Sequence, residues 1–174
     1  TPRSSSAASD VYKRQLSYFQ GDIKDWKADD QTKLSDIMPK DRRWSYPVRD
    51  IIKIISDIEQ FTEIRPEYGK GIVSCFIRIE GKPFGLLAND SQHLGGAIDS
   101  EGADKASSFI EMCSEYGLPI ISLVDTPGFM VGPDSEKEGA VRRMSNLFKI
   151  GSKVKVPLTA IFLRKGYGLS LIHI

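Results

Sequence analysis

Residues 78–125 read "RIEGKPFGLLANDSQHLGGAIDSEGADKASSFIEMCSEYGLPIISLVD". The stretch holds a turn, a strand, a glycine loop, a helix and a second strand, in that order. "EGKP" (80–83) is turn chemistry leading into the strand "FGLLAN" (84–89). "DSQHLGGAID" (90–99) is a loop. From about Ser100 to Tyr116, Ala103, Ala106, Phe109, Ile110 and Cys113 recur on one face at helical spacing. Ser100 suits the N-cap, Glu101 and Asp104 suit the positive helix start, and Gly117 ends the run. "PIISLVD" (119–125) is continuously apolar, as a strand buried on both faces is.

Working outward, "GIVSCFIRI" (71–79) is rich in β-formers and pairs antiparallel with 84–89 across the turn. Before it, Pro47 occupies a first helical position, and Val48, Ile51, Ile52, Ile55 and Ile58 predict a helix to about Ile64. Residues 21–46 are polar without a sustained period and predict a surface linker. Beyond the second strand, "TPGFMVGPD" (126–134) is a loop. A helix from about Ser135 to Ile150 turns Val141, Met144, Leu147 and Phe148 inward. "PLTAIFL" (157–163) is a further buried strand, and "RKGYG" (164–168) opens another loop. The order β-β-α-β-α-β predicts an α/β fold of ββα units.

The two ends do not read as part of that fold. "LSLIHI" (169–174) can be written in codons whose reverse complement translates as "DVYKRQ", the hexapeptide at 10–15. The shared tag resembles the transposase mosaic end of sequencing libraries, and "SSAAS" (5–9) matches the adaptor bases before it. Residues 1–15 and 169–174 are therefore expected to be adaptor-derived, with the true gene continuing after Gly168 in small residues.

The 174 residues are 40% hydrophobic, enough for one domain with a core, and the formal charge is +1. That balance selects neither nucleic acid nor an anionic membrane. No stretch has the length of a membrane span and no start resembles a secretory signal, so a soluble, cytoplasmic protein is expected. Cys75 and Cys113 lie in apolar periodic segments and are read as buried reduced thiols, and no ligand set for a metal occurs.

"LVDTPGF" (123–129) raises the possibility of a GTPase, but the Gly-x4-Gly-Lys-Ser/Thr phosphate loop such chemistry needs is missing. His93 is the one histidine outside the tags, with no nucleophile elbow beside it. Arg164-Lys165 reads equally as a solvated strand end or an anion contact. Gly95, Gly96 and Ala97 stand just before a helix. There, small side chains let backbone N–H groups face a ligand and the helix dipole adds partial positive charge. Such a loop can stabilise an oxyanion, or it is simply a tight turn needing positive φ.

The segment from "RIEGKPFGLLAND" through "LVDTPGFMVGPDSEKEGAVRRMSNLF", together with "LSYFQGD" (16–22) and "YPVRDII" (46–52), resembles the carboxyltransferase subunit of biotin-dependent acyl-CoA carboxylases of the propionyl-CoA and acetyl-CoA type. The resemblance implies a crotonase-like fold of two related lobes. Residues 16–46 would be the end of the first lobe and the linker, and 47–168 the first half of the second. It implies carboxyl transfer from carboxybiotin to the α-carbon of an acyl-CoA, with backbone oxyanion holes in place of side-chain catalysts. Gly96 and Ala97 would form the biotin-side hole with Gly95 giving the turn. Asp99 would line the acyl pocket, and Tyr167 and Gly168 would open a second glycine loop on the substrate side. Asp125 and Gly128 would belong to a structural strand and loop beside the site. The implied partners are a biotin carboxyl carrier protein and biotin carboxylase, in a hexamer, without a metal, nucleic acid or membrane. A biotin-dependent decarboxylase subunit, or a catalytically silent assembly fragment, remain the alternative readings.

Overall fold

The computed structural model describes residues 23, 25–41, 43–133 and 139–167. The expectations for the two tags, for "LSYFQGD" and for Gly168 lie outside these residues. A 3-10 turn (Gln31–Lys33) leads into the short helix α1 (Leu34–Ile37), then α2 (Val48–Ile55) and β1 (Phe61–Glu63). β2 (Ile72–Ile79) and β3 (Lys82–Asn89) follow, then α3 (Ser100–Glu115), β4 (Ile120–Thr126), α4 (Ala140–Gly151) and β5 (Leu158–Gly166). The strands form one sheet in chain order, β1-β2-β3-β4-β5. The first two pairings are antiparallel and the last two parallel.

The sheet divides two apolar layers, and strand alternation decides which residues enter each. Val73, Cys75 and Ile77 of β2 and Leu86 and Ala88 of β3 pack beneath α2 with Val48, Ile51, Ile52 and Tyr46. Ile72 and Leu87 face the other way, against Ala106, Phe109, Ile110 and Cys113 of α3. Burying one such Ile or Phe side chain contributes about 1.5–3 kcal/mol. β3 carries Gly85 where α3 comes closest, since a Cβ there would lie 2.5 Å from the Cys113 sulfur. Both thiols are free and buried, and burial pushes each up to about 12.

The hairpin forms as the sequence predicts, in the register Ile72↔Asn89 to Ile79↔Lys82. Its turn is tighter than "EGKP" suggests. Glu80 and Gly81 both adopt positive φ (51° and 75°), the twist that suits a two-residue hairpin. Pro83 is already in β3, ahead of the Gly85–Ala88 stretch that pairs with β4. At the end of α3, Gly117 at φ 69° and the Leu118 N–H to Cys113 carbonyl bond (2.8 Å) make a Schellman-type stop.

Several expectations are corrected. The second helix ends at Ile55, not Ile64, and Pro47 caps it (φ −76°, ψ 95°) without being its first residue. Asp57 turns the chain away. Its N–H donates to the Arg78 carbonyl (2.8 Å), and its carboxylate accepts from the N–H groups of Glu80 (3.0 Å) and Gly81 (2.8 Å). Those bonds clamp the hairpin turn, leave Ile58 exposed and free Phe61–Glu63 to pair as β1. The linker is not wholly superficial, because Tyr46 is in the core. Val141 of α4 is exposed, although Met144, Leu147 and Phe148 are partly buried; residues 134–138 are outside the described set. β5 is not buried on both faces but is an edge strand, with Leu158, Ile161 and Phe162 each 44–48% exposed.

Lys105 stands in the buried face of α3 at 2% exposure, and its Nζ has no hydrogen-bond partner among the described residues. Burial lowers its pKa. Glu63 opposes that shift, while Arg49 and Arg65 reinforce it.

Candidate active site

β3, β4 and β5 run parallel and end at Asn89, Thr126 and Gly166. Open α/β sheets gather ligands at the carboxyl ends of such strands. Three loops leave these ends and are bonded together. The Ile98 N–H donates to the Gly128 carbonyl (3.0 Å) and the Met130 N–H to the Ile98 carbonyl (2.9 Å), zipping the first loop to the second. The Tyr167 N–H donates to the Thr126 carbonyl (3.2 Å), tying in the third.

The first loop contains a left-handed turn: Leu94, Gly95 and Gly96 have φ of 47°, 63° and 89°. Such a backbone costs a leucine on the order of 1–3 kcal/mol, a strain usually retained at functional positions. Leu94 is exposed. A Cβ on Gly96 would overlap the Asp125 carbonyl oxygen, so only glycine fits, whereas the space beside Gly95 is open. The Gly96 N–H donates to the His93 carbonyl (2.9 Å) and the Ala97 N–H to the Leu94 carbonyl (3.2 Å). The two predicted oxyanion donors thus already carry bonds within the turn, the second of them long.

Asp99, not Ser100, caps α3. Its Oδ1 accepts from the Gly102 N–H (2.7 Å) while Oδ2 lies 3.4 Å from His93 Nε2. A capping aspartate one residue earlier displaces Ser100 into the first turn. His93 therefore pairs with Asp99 across the loop.

Behind the turn lies a buried ion pair. Arg164 Nε and NH2 lie 3.0 and 2.9 Å from Asp125 Oδ2, with the two side chains 5% and 0% exposed. Arg164 also donates to the Trp44 carbonyl (2.6 Å) and lies over the Tyr46 ring, 4.4 Å from its centre. The Lys165 N–H donates to Asp125 Oδ1 (3.1 Å). Arg164 is thus not a solvated strand end, and the anion it contacts is the chain's own Asp125 carboxylate. Burial, and next the Asp125 carboxylate, push the Tyr46 phenol well above its ordinary range. Asn89 Oδ1 accepts from the Asp125 N–H (3.2 Å), and its amide nitrogen donates to the Gly96 carbonyl (3.5 Å). Ser91 exchanges hydrogen bonds with the Tyr46 backbone (3.1 and 3.2 Å). Sequence reasoning assigned no role to Asn89, Ser91 or Tyr46. The one available signal was a polar residue, Asn89, closing an otherwise apolar strand.

An apolar hollow of about 430 Å³ lies between the sheet and helices α3 and α4. Ile98, Thr126, Gly128 and Tyr167 line its approach to the three loops. Among the described residues no cluster of three or more His, Cys, Asp or Glu could hold a metal, and no helix is long and apolar enough to cross a membrane.

A glycine turn, an aspartate-capped helix and the ends of three parallel strands are gathered on one side of an α/β lobe. The carboxyl transferase domain family matches residues 13–174, and the chain belongs to that family. It is 35% identical over 137 residues to the methylmalonyl-CoA carboxyltransferase 12S subunit of Propionibacterium freudenreichii subsp. shermanii, covering 79% of this chain and 26% of that protein. It is 34% identical over 135 residues to methylmalonyl-CoA decarboxylase subunit alpha of Propionigenium modestum, covering 78% and 26%. A solved single-chain, multi-domain long-chain acyl-CoA carboxylase superposes with a TM-score of 0.84 at 50% identity, covering 95% of this chain and 17% of that one. The fold is the crotonase-like fold of carboxyltransferases, present here in part. The chain spans about a quarter of the length of the curated relatives it matches.

Proposed function

We propose that the full-length protein transfers a carboxyl group between carboxybiotin on a carrier protein and the α-carbon of an acyl-CoA such as propionyl-CoA or acetyl-CoA. The observation that carries this reading is the left-handed turn at Leu94–Gly96, which sets neutral N–H donors at the ends of three parallel strands.

Those donors suit a ureido oxygen that would gain negative charge as the carboxyl leaves the ureido nitrogen, and the open space beside Gly95 leaves room for its approach. When bound, carboxybiotin supplies the carboxyl group and a ureido nitrogen able to take the α-proton. Gly96 and Ala97 hold the ureido oxygen by sharing their intraturn bonds as three-centre bonds, for which the 3.2 Å Ala97 contact is already loose. Gly95 shapes the turn, and Asp99, Tyr167 and Gly168 border the acyl-CoA. Residues 16–46 close the first lobe and 47–168 begin the second. The implied partners are the carrier protein, biotin carboxylase and further copies in a cytoplasmic hexamer.

The relative named as a decarboxylase subunit is almost as similar as the carboxyltransferase, so the reverse direction is the second reading. Both directions need the same donors. The test is the full-length gene product with carboxylated carrier and acyl-CoA substrates. Acyl-CoA-dependent transfer of labelled carboxyl is expected, and its absence in a folded enzyme refutes the proposal. Net release of CO₂ from a malonyl-type CoA, without the forward reaction, selects the second reading. The isolated 174-residue chain should be inactive, since it spans about a quarter of its relatives.

A further inference from the structure

We infer that Asp125 is a positioning residue that holds the glycine turn 94–97 and the terminus of β5, residues 165–167, at one separation. The inference rests on the function proposed above, and four contacts carry it. The Asp125 carbonyl oxygen forms the floor beneath Gly96, where no Cβ fits. Its N–H engages Asn89, whose amide nitrogen meets the Gly96 carbonyl. One carboxylate oxygen takes Nε and NH2 of Arg164, and the other takes the Lys165 N–H. The Gly96 carbonyl and the Ala97 N–H belong to one planar peptide, so restraining the carbonyl also sets the direction of the N–H.

Stability alone is a weak reason for such a pair. A fully buried ion pair gains little over an apolar pair of similar volume, which is often as stable or more so. What an apolar pair cannot supply is the simultaneous reach to the Lys165 N–H and the Arg164 guanidinium. Misplacing reacting groups by about 1 Å can cost about 10²-fold in rate.

The experiment compares the full-length protein with Asp125→Asn and with the apolar double variant Asp125→Leu/Arg164→Met. Melting temperature, hydrogen–deuterium exchange by segment, kcat and KM for the acyl-CoA are measured on each. The double variant should melt at or above the parent temperature. Its kcat should fall about 10–100-fold with KM within about twofold. Exchange should rise at least about tenfold in 94–97 and 165–167, leaving β2 and α3 protected. Parental kcat and parental loop exchange in the double variant overturn the inference, as does loosening spread evenly over the fold. If the double variant fails to fold, the Asp125→Asn exchange map decides by the same criterion. Absence of carboxyl transfer in the parent protein would refute the proposed function, while the exchange arm would still judge Asp125.

Discussion

Ala97 sits at φ −66° and ψ 145°, the φ that a proline ring imposes. Ala97→Pro in the full-length enzyme therefore deletes one N–H donor without asking the residue's own φ to change. Turnover should drop about 10²–10³-fold, the usual consequence of losing one oxyanion donor. Ala97→Gly keeps the donor and should cost far less. If His93 were instead a general base, His93→Ala would be the damaging change and Ala97→Pro the mild one. Steady-state turnover of the three variants, with melts to verify folding, separates the two accounts. Lys105 gives a second residue-scale test. Its folded pKa lies below the ordinary lysine value of 10.5, so between the two values the unfolded chain binds more protons and stability rises with pH. Lys105→Met removes a buried amine that lacks a partner and should stabilise by about 1–3 kcal/mol. That gain should grow as pH falls from about 10.5 and level off below the folded pKa. Denaturant titrations across that range check it; a pH-independent or negative effect contradicts the reading.

Among the elements, those with a strong local signal were legible in the sequence: β2 and β3 from β-formers around a turn, β4 from a continuous apolar run, and the buried face of α3 from its helical period. The second helix was read too long because Ile58 continues its period, while the competing signal is one side chain. Asp57 bonds a hairpin turn more than twenty residues away, and no window of helical spacing reveals that. β5 was misread for a different reason: its apolar residues do suit a buried strand, but in this chain they line an open edge. An exposed apolar edge is a template for pairing with another chain. The 174-residue chain should therefore self-associate at rising concentration, and Phe162→Lys should shift it toward monomer. Light scattering coupled to size exclusion would measure this. A wild-type chain that stays monomeric at high concentration contradicts it.

For the molecule as a whole, the glycine loop and its family resemblance were legible because they lie in contiguous residues. The support behind that loop was not. Asp125 and Arg164 are 39 residues apart, Ser91 and Tyr46 are 45 apart, and only the folded sheet juxtaposes them. Arg164 was accordingly left between two readings, and its burial against Asp125 excludes the solvated one. The order of the sheet has a consequence for how the protein is made. Because space and chain follow the same order, β1 to β5, each strand after the first leaves the ribosome with its neighbour already synthesised. At about 5–20 residues per second, each crossover helix emerges within seconds of the strand before it. The advancing edge is always the newest strand, so a pause in translation after β3 still leaves a paired hairpin seated on α2.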